Sequence, residues 1–311
     1  MLVALAGGVG AARFLRGLIR AHPPADLLVV VNTGDDLRLH GLAVSPDLDS
    51  VAYTLAGVAD EQRGWGLAGE TWNLRDALAR LGEPVWFALG DRDVATHLLR
   101  TRLLGEGAPL SQATAELCGR LGVPARLLPM SDDPVTTMVE VDGPDGPQEL
   151  HFQEWWVGRQ AVDPVRRVRF AGADRARPAP GLLEALAGAA GIVLCPSNPV
   201  VSISPILALP GVREAIGAAR CRTVAISPIV GGAPVRGMAD RLLPAWGVEV
   251  SARGVAGLYA GLVDAFVLDQ VDAAEADDVR RLGMDAIVAP TVMRTLEDSV
   301  ALAKTALEAL A

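Results

Sequence analysis

The sequence predicts an α/β protein with a Rossmann-like, mostly parallel sheet, helices on both faces, and a smaller lobe containing helices and a β-hairpin. Short apolar segments alternate with segments of helical periodicity along most of the 311 residues. The first apolar segment runs into a glycine-rich turn and then a helix. Half of the residues are hydrophobic but only 4% are aromatic, so small apolar side chains dominate. Such side chains suit close packing of helices on a sheet.

The predicted strands are short apolar segments at residues 2–6, 27–31, 85–89, 191–194, 222–226, 264–268 and 286–289. Helical periodicity is found at residues 11–20, 71–81, 94–104, 111–121, 181–189, 253–262 and 295–310. Strands that alternate with helices imply right-handed βαβ units. In such sheets, ligands bind beyond the carboxyl ends of the strands, at the point where the strand order reverses.

The segment 136–180 departs from this alternation. Two strands around the turn Asp142-Gly-Pro-Asp-Gly146 predict a β-hairpin, and Trp155, Trp156 and several arginines follow. We therefore predict a Rossmann-like core at about residues 1–90 and 181–311, with a smaller lobe or cap at about residues 91–180. The length allows one large core or two smaller ones, since domains of about 100–200 residues are usual.

Charge and composition exclude several classes of protein. The net charge of −9 argues against nucleic acid as a partner, because a phosphate backbone selects basic surfaces. No signal peptide is recognisable, and no apolar run reaches the ~20 residues of a membrane span. The three cysteines lack C-x-x-C spacing, which is typical of core residues in a reducing compartment. We expect a cytoplasmic protein without a membrane partner.

The glycine-rich turn is a candidate phosphate-binding loop. Gly8 and Gly10 would let the backbone approach an anion closely, and the following helix presents free N–H groups to it. The third glycine of the dinucleotide fingerprint is missing, as is the Gly-Lys-Ser/Thr of a P-loop. A variant phosphate loop is favoured over a nicotinamide site, and a tight turn without a ligand is the structural alternative.

Four carboxylates lie within fifteen positions after the second predicted strand. We interpret this group, Asp35, Asp36, Asp47 and Asp49, as a candidate site for Mg²⁺, a cation that prefers oxygen donors and often shares substrate phosphates. Clustered acids repel one another unless a cation neutralises them. The alternative is that Asp47 or Asp49 caps a nearby helix while the other acids are solvated.

Other candidates follow later predicted strands. Arg92, in Gly90-Asp-Arg-Asp93, could hold a phosphate bidentately, or else pair with a neighbouring acid beside an Asp91 cap. We expect His97 to pack or hydrogen-bond on its helix and not to act as a catalyst. The segments Cys195-Pro-Ser-Asn-Pro199 and Ser227-Pro-Ile-Val-Gly-Gly232 offer hydroxyl, amide and N–H donors suited to a nucleotide. Ordinary proline-containing turns are the alternative for both.

Eight segments occur in an order that carries a resemblance: Ala6-Gly-Gly-Val-Gly10, Asn32-Thr-Gly-Asp-Asp36, Ser45-Pro-Asp-Leu-Asp49, Leu89-Gly-Asp-Arg-Asp-Val-Ala-Thr-His97, Leu128-Pro-Met-Ser-Asp132, His151-Phe-Gln-Glu-Trp-Trp-Val157, Pro196-Ser-Asn-Pro199 and Ser227-Pro-Ile-Val-Gly-Gly232. Together they resemble the 2-phospho-L-lactate transferase family of coenzyme F-420 biosynthesis. The resemblance implies a single Mg²⁺-dependent transferase unit that forms a homodimer. Such an enzyme moves a phospholactyl or phosphoenolpyruvyl group from a guanosine diphosphate conjugate to the deazaflavin FO, releasing GMP.

The resemblance also implies roles for the candidate residues. Asp49 would orient or deprotonate the FO hydroxyl, and Arg92 would hold FO or stabilise phosphate charge. The remaining acids, Asp35, Asp36 and Asp47, would be the candidates for coordinating Mg²⁺. The guanosine diphosphate part would be lined by Gly8, Gly10, Ser197, Asn198, Gly231 and Gly232. Ser45 stands where the family motif is expected to have Cys.

Two other functions compete with this one. A non-catalytic nucleotide- or nucleotide-sugar-binding regulator, similar to gluconeogenesis factors, would share the glycine-rich start and the acidic segment. The Gly-Asp-Arg-Asp segment and the Trp-rich hairpin favour the transferase instead. A nicotinamide-dependent dehydrogenase is disfavoured by the broken glycine fingerprint.

Overall fold

The computed structural model describes residues 1–143 and 146–311. Numbered along the chain, its strands are β1 (Leu2–Ala6), β2 (Leu27–Val31), β3 (Leu37–Leu39), β4 (Leu42–Val44), β5 (Arg126–Pro129), β6 (Thr136–Gly143), β7 (Gly146–His151), β8 (Val165–Ala171), β9 (Gly191–Leu194), β10 (Thr223–Ile226), β11 (Ile229–Val230), β12 (Ala233–Pro234), β13 (Ala265–Leu268) and β14 (Asp285–Val288).

The helices are α1 (Gly8–Ala21), α2 (Pro46–Leu55), α3 (Asn73–Arg80), α4 (Asp91–Gly105), α5 (Leu110–Leu121), α6 (Leu182–Ala187), α7 (Ser204–Leu207), α8 (Val212–Gly217), α9 (Ala239–Leu242), α10 (Ala252–Leu258), α11 (Ala276–Arg281) and α12 (Leu296–Ala309). None of the helices in the described part of the chain combines the length and apolar character that crossing a membrane requires.

A seven-stranded sheet organises the molecule, in the order β14-β13-β10-β9-β1-β2-β5. Every neighbouring pair in this sheet is parallel. From β1 the chain builds outward through β2 and β5, then returns to the other side of β1 with β9. The strand order therefore reverses between β1 and β9, where open α/β sheets bind their ligands.

Helices cover both faces of this sheet, because successive side chains of a strand point to opposite faces. In β1, Val3 and Leu5 pack in a cluster with side chains of α6, α8 and α10. Leu2, Ala4 and Ala6 pack on the other face with α1, α2 and α12. This arrangement confirms the predicted fold class.

The smaller elements lie after the strand ends. Strands β6, β7 and β8 form an antiparallel sheet, which confirms the predicted β-hairpin. The predicted turn of that hairpin includes Pro144 and Asp145, which lie outside the described residues. Helices α4 and α5 belong to the stretch predicted as a lobe, whereas β5, from the same stretch, is an edge strand of the central sheet.

All seven predicted helices correspond to helices of the structure, and six of the seven predicted strands are present. The strand predicted at residues 85–89 is wrong, since this segment has no regular structure. Its apolar side chains, including Trp86 and Phe87, instead pack against β3 and β4 and line a cleft. An apolar run alone does not distinguish a buried strand from a loop that packs on a hydrophobic surface.

Candidate functional site

Glycine loops define the site at the point where the strand order reverses. A Cβ atom at Gly10 would overlap the carbonyl oxygen of Pro196, so only glycine lets the loops after β1 and β9 approach this closely. Gly8 has a φ of +70°, a conformation that favours glycine. A Cβ at Gly7 would lie 2.6 Å from Oδ2 of Asp47. The backbone turn, the second loop and the acidic segment are thus in direct contact.

We call the space above these loops the glycine-loop cleft. Its lining includes the predicted nucleotide residues Gly8, Gly10, Ser197 and Asn198. The Gly7 N–H donates to Oγ of Ser197 at 3.3 Å, which ties the two loops together. The structure therefore brings together four of the six residues predicted to line the nucleotide.

The other two predicted nucleotide residues, Gly231 and Gly232, lie elsewhere. They form the exposed tip of the two-residue hairpin between β11 and β12, with φ values of +60° and +76°. Such a tight turn requires positive φ at both central positions. The N–H of Gly231 donates to the Asp272 carboxylate at 3.0 Å, and neither glycine lines the cleft. The geometry of this hairpin turn explains why two glycines stand next to each other here.

Two carboxylates predicted as metal ligands, Asp35 and Asp47, line the glycine-loop cleft. Asn32 donates to Oδ2 of Asp47 at 2.9 Å, and Gln153 donates to Oδ2 of Asp35 at 3.3 Å. Oδ1 of Asp35 is buried and has no hydrogen-bond partner within residues 1–143 and 146–311. Burial and then the charge of Asp47 raise the pKa of Asp35 well above its usual range. Burial also raises the pKa of Asp47 to about 6.

This donor set fits a divalent cation, because two neighbouring buried carboxylates, one with a free oxygen, repel each other without one. Asp36 also has a buried Oδ1 without a partner among the described residues, but it lies outside the glycine-loop cleft. It accepts a hydrogen bond from Ser45 at 2.7 Å and borders a different surface depression. Within the described residues, no three His, Cys, Asp or Glu side chains converge as a metal site. A magnesium ion at Asp35 and Asp47 would take its other ligands from phosphates and water.

A second space, which we call the aromatic cleft, adjoins the first. It has a volume of about 400 Å³ and is lined by Tyr53, Trp65, Trp86, Phe87 and Trp156. Residues of both clefts include Gly8, Asp47, Trp156 and Arg236. Flat aromatic walls suit a planar ring system, since stacking against aromatic side chains is favourable for heteroaromatic rings. The two clefts therefore meet at Asp47.

Asp49 lines the aromatic cleft one helical turn into α2, and it is buried. Nη1 of Arg100 donates to its Oδ2 at 3.1 Å, and Nη2 donates to its Oδ1. This bidentate pair fixes the carboxylate in one orientation. Burial lowers the pKa of Arg100, but the charge and hydrogen bonds of Asp49 outweigh this effect and raise it.

A second carboxylate, that of Asp93, belongs to the same buried network as Asp49. Asp93 accepts a hydrogen bond from the Tyr53 hydroxyl at 2.5 Å, and Nε2 of His97 lies 3.5 Å from it. Nδ1 of His97 lies 3.7 Å from Asp49, so the imidazole lies between two acids. His97 is 1% exposed, lies inside this network and borders the aromatic cleft.

Arg92 does not lie in either cleft. Its side chain is exposed, and Nη1 donates to the Ala68 carbonyl at 3.0 Å. The expectation that it follows a strand end is wrong because residues 85–89 are not a strand. Its neighbour Asp91 accepts hydrogen bonds from the N–H groups of Asn73 and Leu74, and so caps α3.

Several residues of the site were not among the sequence candidates: Asn32, Tyr53, Arg100, Gln153, Trp156 and Arg236. Asn32 and Gln153 lie inside the quoted motifs, so an amide that orients an adjacent carboxylate was a detectable signal. Arg100 is seven residues after Asp93 on α4, and its helical periodicity places both on one face. Nothing local to Arg236 points to the cleft.

Comparison with known proteins identifies the family. A sequence profile described as 2-phospho-L-lactate transferase CofD matches residues 2–293. The chain belongs to the 2-phospho-L-lactate transferase family. It is a transferase of coenzyme F-420 biosynthesis, as the motif resemblance implied.

Curated relatives span the same length. A phosphoenolpyruvate transferase of Streptomyces griseus subsp. griseus is 51% identical over 309 residues, covering 99% of this chain and 97% of the relative. A phosphoenolpyruvate transferase of Thermobifida fusca is 47% identical over 317 residues, covering 99% and 97%. These matches favour the transferase over the regulator.

A solved structure shares the fold. A UPF0052-family protein from Bacillus halodurans superposes with a TM-score of 0.62 at 18% identity, covering 98% of each chain. At this identity the likeness concerns the arrangement of the elements and carries no statement about activity.

Proposed function

We propose that this transferase moves a phosphoenolpyruvyl or 2-phospholactyl group from a guanosine diphosphate conjugate to FO and releases GMP. The observation that carries the proposal is the meeting of the two clefts at Asp47. One cleft is built from backbone loops suited to phosphates, and the other from aromatic side chains suited to a deazaflavin ring. A group transfer between two substrates requires this arrangement, because donor and acceptor must meet at one point.

In the proposed reaction, the terminal ribityl oxygen of FO forms a bond to the phosphorus that carries the three-carbon acid. The bond from that phosphorus to the oxygen bridging to GMP breaks, and GMP leaves with the electron pair. The hydroxyl proton passes to Asp49 or to water. Phosphoryl transfer depends mainly on positioning and charge stabilisation. The bidentate pair with Arg100 fixes the orientation of the Asp49 carboxylate, so Asp49 can accept a hydrogen bond from the attacking hydroxyl.

Asp35 and Asp47 are the proposed magnesium ligands. A magnesium ion bound there would neutralise negative charge on the donor phosphates. Asn32 and Gln153 hold the two carboxylates in place through their amide N–H groups. We assign Asp36 a supporting role and not a metal-binding one. Its carboxylate accepts a hydrogen bond from the Ser45 hydroxyl and so stabilises the Ser45 loop.

We favour phosphoenolpyruvate as the three-carbon acid, because the relatives at about 50% identity are phosphoenolpyruvate transferases. We also propose a homodimer, as the family resemblance implies. The choice of three-carbon acid is tested by supplying both guanosine diphosphate conjugates in separate reactions with FO and Mg²⁺.

The decisive experiment follows GMP release and the mass of the deazaflavin product in these reactions. The proposal predicts a product that carries one phosphoenolpyruvyl group and an equal amount of GMP. Asp49→Asn serves as the matched inactive variant. GMP release without FO modification, or transfer with Asp49→Asn at the wild-type rate, would contradict the proposed chemistry.

A further inference from the structure

We propose that Arg13 and Arg236 form a two-cation site for the donor phosphates, and this inference rests on the proposed function. Arg236 is assigned to the phosphoryl group that is transferred, and Arg13 to the phosphate that leaves with guanosine. Neither arginine belongs to the sequence motifs that identified the family.

Arg13 lies on α1, one turn after the glycine loop, and lines the glycine-loop cleft. Arg16, three residues later on the same helix, pairs with Glu61 at 2.5 Å. In the described part of the chain, Arg13 makes no ion pair within 4.0 Å and no side-chain hydrogen bond. Its half-buried guanidinium therefore has no direct acidic partner beside the phosphate loop, and Glu61, the acid whose charge acts on it, is paired with Arg16.

Arg236 follows β12 and lines both clefts. Its Nη2 atom donates to the backbone carbonyl of Arg63 at 2.6 Å, an acceptor without net charge. A Cβ atom at Gly64 would collide with its guanidinium, so this glycine makes room for the side chain. These contacts hold the Arg236 guanidinium where the two clefts meet and do not neutralise its charge.

The two cations act on each other. Burial, followed by the charges of Arg236 and Arg16, lowers the pKa of Arg13. Like charges that share a cleft are stabilised by a bound anion, and guanidinium groups match phosphate oxygens bidentately. The donor carries two phosphates, one for each cation. Because Arg236 lines both clefts, it lies where the proposed donor phosphates and the attacking FO hydroxyl would meet.

This assignment predicts different responses to GMP and GDP, where the β-phosphate of GDP stands in for the transferred phosphoryl group. Arg13→Gln should weaken both nucleotides at least ~10-fold, the loss expected for a charged hydrogen bond. Arg236→Gln should weaken GDP by a similar factor and leave GMP unchanged. Isothermal titration calorimetry of the whole protein with Mg²⁺ measures all four values.

The matched control is Arg20→Gln, an equal charge change at an exposed position further along α1. It should bind both nucleotides like the wild type. Gly64→Ala provides a second variant of the same feature, because it displaces the Arg236 guanidinium while retaining its charge, although the φ of +77° at Gly64 means that alanine also strains this turn. It should weaken GDP and spare GMP. Thermal melting of each variant confirms that the protein is folded.

The outcomes separate this site from the proposed function. If wild-type protein binds both nucleotides and the Arg13 and Arg236 variants bind them like Arg20→Gln, the arginine site is wrong and the function stands. Equal losses of GMP and GDP affinity in Arg236→Gln would overturn its assignment to the transferred group. If wild-type protein binds neither nucleotide, the proposed function fails and this site with it.

Discussion

The glycine-loop cleft and the aromatic cleft are built in different ways. The first is made of short loops at the ends of neighbouring parallel strands, and its shape depends on glycine backbone at Gly8 and Gly10. The second is made of side chains from α2, α4, the segment around Trp86 and residues 153–157, which follow β7. The comparison shows that a backbone-built site is visible in local sequence, whereas a site assembled from distant side chains is not.

The largest expected effect comes from Asp49→Asn. This change replaces the carboxylate that we place next to the attacking FO hydroxyl with an amide of the same shape. Turnover should fall at least ~100-fold, the range expected for loss of acid–base catalysis. The change also leaves Arg100 as an unpaired buried cation, which costs about 3–5 kcal/mol of stability. Steady-state GMP release and thermal melting measure the two effects separately.

A double variant distinguishes catalysis from folding in this comparison. Asp49→Asn combined with Arg100→Gln removes both members of the buried pair, so much of the melting temperature should return. Activity should stay low because the carboxylate is still missing. Recovery of turnover together with stability would show that Asp49 acts only through the structure of the aromatic cleft.

The next effect sharpens the division between the clefts. Trp86→Ala should weaken FO at least ~5-fold, since stacking on an aromatic side chain contributes about 1–3 kcal/mol. GDP affinity should not change, because Trp86 lines only the aromatic cleft. Fluorescence titration with each ligand tests this. Trp246→Ala is the control, since Trp246 packs against Phe170 outside both clefts.

A smaller effect concerns pH. The pKa of Asp47 rises from 3.8 to about 6 in the folded protein, so its proton stabilises the folded state. This contribution is complete below about pH 3.8 and is lost as the pH rises through about 6. In metal-free buffer, the melting temperature should therefore fall across this window, and less steeply in Asp47→Asn. Added Mg²⁺ should raise it more at pH 7 than at pH 5.

The smallest effect is expected at the hairpin tip. Gly231→Ala places a side chain at a positive φ and should cost about 1 kcal/mol of stability. Because Gly231 lies outside the glycine-loop cleft, GDP affinity should match the wild type. A marked loss of GDP affinity in a well-folded variant would return this glycine to the nucleotide site.

The sequence predicted the central sheet well because buried parallel strands are continuous apolar runs with glycine turns at their ends. It missed β5, whose four residues combine Arg126 and Pro129 with only two leucines. It also placed a strand at residues 85–89, where apolar side chains line a cleft. An apolar run indicates that a segment is buried, but burial alone does not determine whether its backbone forms a strand or a loop.

The candidate site was also predictable only in part, namely where its residues directly follow strands of the central sheet. Gly8, Gly10, Ser197 and Asn198 follow strands β1 and β9 directly, so topology brings them together. Arg236 could not be found this way, since its contact with Arg63 spans 173 residues and depends on how two loops pack. Arg92 was chosen because of its motif alone. The strand predicted before it is absent, so Arg92 does not follow a strand end, and its side chain lies outside the clefts.

The most direct test of the two-cleft account is a crystal structure of the protein with GDP, Mg²⁺ and FO. The account predicts the GDP phosphates on the glycine loop and the FO ring between the side chains of the aromatic cleft. The terminal ribityl hydroxyl should point toward Asp47 and Asp49, close to the β-phosphate. FO bound in the glycine-loop cleft, or bound with its hydroxyl far from the phosphates, would contradict the account.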